Sequence, residues 1–152
     1  MKQIKYYLIL IAFVCSCNKS EEKIINGEFI PNIRNTIDFE TADASEIDSY
    51  IKRIDSIAIK NNDNSLKLSS KFYHDLLELN LIRTPSIYLK QNNDSLLQIF
   101  VEKSQFEKIK KYDYLGSDLK YKIDIKLRYK KVTDFILLSD SILEVKINNI
   151  KN

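Results

Sequence analysis

The chain's single histidine, His74, stands beside Asp75 and four residues before Glu78. An imidazole next to a carboxylate can move a proton. At helical spacing, however, His74 falls away from the stripe holding Phe72 and Leu76, which fits a solvent-facing histidine beside an acid. Zinc needs three or four ligands, and one histidine without supporting cysteines does not supply them. No spacing among the carboxylates selects a glycosidase pair. A calcium loop counted from Asn61 puts Leu66 where glycine is required and Phe72 where glutamate is required. The only glycines are Gly27 and Gly116, too few to build a phosphate cradle or a strained nucleophile turn. These residues predict no catalytic constellation, no metal, no cofactor and no nucleotide.

A second group with chemical potential lies near the end of the chain. From Leu119 to Lys130 every odd position is apolar and every even one charged, the pattern of a half-buried strand. Lys120, Lys122, Lys126, Arg128 and Lys130 project to one side, interrupted only by Asp124. Same-face neighbours on a strand are roughly 6.5–7 Å apart, so this stripe can hold an anionic partner such as a lipid headgroup, a polyanionic glycan or an acidic protein surface. The competing reading is a solvated face whose lysines discourage edge pairing, neutralised by neighbours such as Glu144. Tyr121 and Tyr129 fall on the apolar side of the same strand and read as core, whereas Tyr112 and Tyr114 near Gly116 are the better candidates for an exposed aromatic contact, with packing the safer reading even there.

The only two cysteines, Cys15 and Cys17, close an apolar run from Tyr6 to Val14 that follows Lys2 and Lys5. A positive start, a short greasy stretch and a small-residue exit make a secretory signal. Nine apolar residues are about half the ~20 a membrane-spanning helix requires. Val14-Cys15-Ser16-Cys17 resembles the lipobox of bacterial lipoproteins. The resemblance implies that Cys17 takes a diacylglyceryl group, that cleavage after Ser16 removes residues 1–16, and that acyl chains hold the protein to a membrane. Glu21 and Glu22 just beyond are similar to the acidic surface-export cue of some outer-membrane lineages, though a plain spacer reads equally well. Cleavage would leave Cys17 as a thioether and the chain without thiol or disulfide, so the core alone must stabilise it.

Of the 24 basic residues, cleavage removes Lys2 and Lys5, leaving 136 residues with 22 basic side chains against 21 acidic. The calculated pI of 8.7 therefore belongs partly to the leader, and a nucleic-acid role gains nothing from it. The remaining length suits one core. Residues 17–42 are read as lipidated cysteine, tether and an irregular or strand-like lead-in, and 43–152 as one α+β domain.

Within that domain a helix is expected from Asp43, capped by Asp43 or Ser45, with Ile47, Tyr50, Ile51, Ile54 and Ile57 or Ala58 inward and Asn61-Asn62 as its stop. A second helix is expected from Ser69 or Ser70 to Leu79, with Phe72, Tyr73, Leu76 and Leu77 inward. Strands follow at 86–90 and 96–101 around an Asn92-Asn93-Asp94 turn, the second apolar on both faces. Ser56–Leu66 (SIAIKNNDNSL) echoes Ser86–Leu96 (SIYLKQNNDSL), leaving open whether 57–68 ends a helix or forms another hairpin. Residues 104–115 read as a short helix with a Ser104/Glu107 capping box and Gly116 as its stop. Phe135–Leu138 and Ile142–Ile147 are expected to pair across Ser139-Asp140-Ser141. Helices followed by an antiparallel meander give an α+β class, with cystatin-like and NTF2-like orders as fold analogies that carry no function.

The functional expectation is a non-enzymatic, lipid-anchored protein of the bacterial cell envelope, with the outer membrane as its place. It would bind a protein or glycan partner. An inhibitor or immunity protein blocking a toxin or hydrolase is the alternative, and a small hydrolase using His74 a third reading.

Overall fold

The computed structural model describes residues 22–31, 39–112 and 121–149. The alternating segment forms strand β4, Tyr121–Lys131, and its odd residues Ile123, Ile125 and Leu127 are fully buried while the charged ones face outward. Strand β1, Glu22–Ile30, lies antiparallel to it from Glu22↔Lys130 to Glu28↔Asp124. The last residues of β1 pair instead with strand β2, Ser86–Lys90, through Glu28↔Lys90 to Ile30↔Tyr88, so Glu28 belongs to both ladders. Strand β3, Leu96–Val101, forms a hairpin with β2 around the expected turn, and Asp94 takes the left-handed conformation there at φ 62°.

Strand β5, Leu137–Asn149, runs antiparallel to β4 and meets the end of β3 in a short parallel pairing, Phe100↔Leu138 and Val101↔Ser139. The sheet thereby closes in the order β1-β2-β3-β5-β4. Closure removes the exposed edges that an open sheet would have to protect. Its interior is filled by Phe29, Ile87, Leu89, Ile99, Val101, Ile123, Ile125 and Leu127, with Ile109 packed among them. Ile109 comes from helix α3, Lys103–Ile109, which lies between β3 and β4 in the chain.

The other two helices are inserted between β1 and β2. Helix α1, Ala44–Asn61, opens on the expected box: Asp43 Oδ1 accepts from the Ser45 and Glu46 amides, and Glu46 accepts a bond from the Asp43 amide at 2.9 Å. It ends at Asn62, whose φ of 49° turns the chain. Helix α2, Asn64–Glu78, follows at once under its own cap, Asp63. Ile47 and Ile51 of α1 pack with Phe39, Ala42, Tyr50 and Tyr73, and Leu76 of α2 reaches across to Phe100 of the barrel and to Ile136 in the loop before β5. Burial and the Tyr50 hydroxyl push the Tyr73 phenol well above its ordinary range.

An α+β architecture therefore forms, and the barrel corrects its finer description. A strand precedes the helices, and one parallel pair replaces the simple meander of the cystatin-like or NTF2-like order. The expected final hairpin is instead one strand: residues on both sides of Ser139-Asp140-Ser141 pair with β4. The polar triplet does not break it because bulges absorb the register shifts and the buried Ser139 hydroxyl bonds the backbone of Ser141. Helix α2 begins five or six residues earlier than expected because Asp63 caps it, and Leu77 faces solvent. Glu102, not Ser104, precedes α3, and no side chain caps that helix, so the Ser104/Glu107 box does not form. Gly116 lies outside the described residues. Because β1 closes the barrel, the folded unit takes in residues read from sequence as tether and lead-in.

Candidate functional site

The cationic stripe lies on the outer face of the barrel, with each residue set by the strands beside it. Lys122 Nζ is 3.5 Å from Glu28 and 3.7 Å from Asp124, and Arg128 reaches Glu22 at 3.5 Å. Lys126 lies opposite Glu144 on β5, and Lys130 opposite Glu22 on β1. Asp124 faces Lys146 across the ladder and accepts a bond from Asn148 at 2.8 Å. Opposite charges facing one another across strands contribute a few tenths to about 1 kcal/mol each and cancel the field of a single-sign stripe. Four of the five expected cations thus share one face, but as part of a charge mosaic. Lys120 lies outside the described residues, as do Cys17 and Tyr114.

Beside this mosaic is a polar recess of about 270 Å³ where β1 leaves β4 for β2. Glu28 and Asp124 stand directly opposite each other, a like-charge pairing that costs stability unless cations intervene. Lys122 reaches both of them, and Lys90, which holds Asp94 at 2.8 Å, lines the same recess. Its wall depends on a glycine. A Cβ at Gly27 would sit 2.7 Å from Gln91 Nε2 and 3.0 Å from both Leu89 Cβ and the Lys90 carbonyl oxygen. Gln91 packs against that bare backbone, and its Nε2 is buried without a hydrogen-bond partner. An unpaired buried amide nitrogen carries a desolvation cost that a nearby acceptor would remove.

His74 does not bond its sequence neighbour. Asp75 is held by Lys71 at 2.7 Å, while His74 Nε2 lies 3.0 Å from Asp55 Oδ2 on α1. Ser70 Oγ donates to the other oxygen of Asp55 at 2.6 Å, and this bond, ahead of the histidine, holds that carboxyl below its ordinary range. Nucleophile activation requires the imidazole between serine and acid. Here the acid is in the middle, so the trio clasps two helices together. Sequence reasoning missed Asp55 because only the helical hairpin brings it to Ser70 and His74; their four-residue spacing on α2 was the available signal.

Tyr129 packs on the barrel core as expected, and Tyr112 is likewise partly buried against it, the safer of its two readings, with Lys111 Nζ 4.9 Å from its ring centroid. Among the described residues no group of three or more His, Cys, Asp or Glu is placed to hold a metal ion, and no helix is long and apolar enough to cross a membrane. The five described strands close into a barrel in which only β3 and β5 run parallel, an architecture that by itself assigns no ligand. No family model matches the chain, and neither a curated protein nor a solved structure is significantly similar to it.

Proposed function

We propose that this protein is a non-catalytic binding protein of the bacterial envelope, held to a membrane by lipid on Cys17, whose barrel recognises a partner presenting hydroxyl and amide groups: a glycan, or a protein loop of similar polarity. The recess at the β1–β2–β4 junction carries this reading. Carboxylates from Glu28, Asp94 and Asp124 alternate there with ammonium groups from Lys90 and Lys122. A hydroxyl both donates and accepts, so a polyol can engage such a lining without importing net charge. The mosaic around the recess supports the same reading, because a purely electrostatic grip on a polyanion would be opposed by the interleaved acids.

Titrating the mature chain in detergent micelles with envelope glycan fragments, followed by nuclear magnetic resonance, tests it. Shifts confined to 26–28, 90–94 and 122–124 are expected, with weak dependence on salt. Shifts elsewhere, or binding that collapses as salt rises, would point away from the recess.

A further inference from the structure

The short distance along the chain from Cys17 to β1 limits how the folded part can meet a membrane. Five residue steps separate Cys17 from Glu22. An extended chain spans at most about 3.6 Å per residue, so Glu22 lies within about 18 Å of an acylated Cys17. The first residues of β1 pair with the last of β4, Glu22↔Lys130 and Lys23↔Tyr129, and the chain then passes into the loop 132–136. Lipid on Cys17 therefore keeps that end of the barrel near the headgroups.

Its surface suits that position. Phe135 is 46% exposed in the loop, and Ile24 is 61% exposed near the start of β1. Lys131, Phe135 and Lys71 of α2 line one open groove of about 520 Å³. Lys131 is paired with Asp134 and Lys71 with Asp75, in surface salt bridges that phosphate oxygens can replace. Exposed apolar side chains rimmed by lysines are the composition of a surface that rests in the headgroup layer.

We propose that this end of the barrel docks on the phospholipid membrane that holds Cys17, with Phe135 entering the interface and Lys130 and Lys131 on headgroup phosphates. The inference rests on lipidation of Cys17. The chain has no tryptophan, so Phe135→Trp introduces a single reporter. A matched control is Ile147→Trp, at an exposed position twelve residue steps further along the chain, ten of those steps, from Leu137 to Ile147, running within β5 and spanning roughly 33 Å at 3.3 Å per residue.

Both lipidated variants are reconstituted into vesicles of phosphatidylethanolamine and phosphatidylglycerol containing brominated acyl chains. Indole emission from the Phe135→Trp protein should shift to shorter wavelength and lose most of its intensity, while emission from the Ile147→Trp protein stays at its aqueous position. Adding Lys130→Glu and Lys131→Glu to the Phe135→Trp protein should restore most of its emission, with the protein still vesicle-bound and its circular dichroism unchanged. Unquenched emission from Phe135→Trp protein that carries fatty-acid label at Cys17 overturns the docking and leaves the anchor standing. Absence of that label from cell-derived protein overturns both.

Discussion

Gly27 illustrates how one residue's lack of a side chain can shape a site. Its burial against Gln91, Leu89 and Lys90 leaves no room for a methyl group, and two of the three close contacts are to atoms that cannot swing aside. Gly27→Ala should cost about 1–3 kcal/mol, the range for overpacking, measured by urea denaturation. Gly27→Ala with Gln91→Ala removes only the 2.7 Å contact, so part of the loss should persist; complete recovery would show that the amide alone set the limit. Asp55 makes a pH prediction. Ser70 first, then His74, hold its carboxyl below the ordinary value, so its contribution to stability is present above the unfolded pKa, near 4, and is lost as pH falls through the lower folded value. Asp55→Asn should therefore flatten the acid-side decline of stability between about pH 5 and 2. An unchanged decline would mean that the ionisation of Asp55 contributes nothing to the acid-side loss of stability.

Among the elements, the internal echo shows where local sequence stops deciding structure. Asp63 Oδ1 accepts from the Ser65 amide and hydroxyl, and Asn93 Oδ1 accepts from the Ser95 amide and hydroxyl in the same way. The repeated side-chain turn is thus real in both copies. One copy starts a helix and the other leads into β3, because Leu89 and Ile99 enter the barrel while Ala58 is buried in the helical hairpin. Strand β4 and the Asp43 cap were legible because their signals are local: a period of two and a three-residue box. The continuity of β5 was not, since Ser139 is tolerated only through its bond to Ser141 inside a bulged ladder. The hairpin's dependence on the barrel can be measured. Leu76 is buried between α2 and the Phe100–Ile136 pair, so Leu76→Ala should cost about 2–5 kcal/mol. Hydrogen exchange should then quicken across α1 and α2 before the β1–β4–β5 ladder loses protection. Equal loss of protection in both would make hairpin and barrel one cooperative unit.

At the level of the whole molecule, both the charge pattern and the barrel depend on a strand that the sequence shows least clearly. The stripe on β4 looks cationic when read alone, yet Glu22 and Glu28 come from about a hundred residues upstream to face it. No window along the chain contains that pairing, which is why the recess was not legible. β1 itself lacks a clean alternation: Asn26 and Gly27 interrupt it, and only Phe29 and Gly27 are buried. Nevertheless it pairs on both sides, so its removal would leave β2 and β4 with unsatisfied edges and uncover Phe29's place in the core. A chain starting at residue 43, where the sequence pattern places the start of the domain, should show no cooperative thermal transition and should aggregate, whereas one starting at residue 18 should melt in a single step. Adding a peptide of residues 18–31 to the shorter chain should restore part of the transition by supplying the missing strand in trans. Independent cooperative folding of 43–152 would mean that the barrel can close without β1, and the charge mosaic would then lose its structural basis.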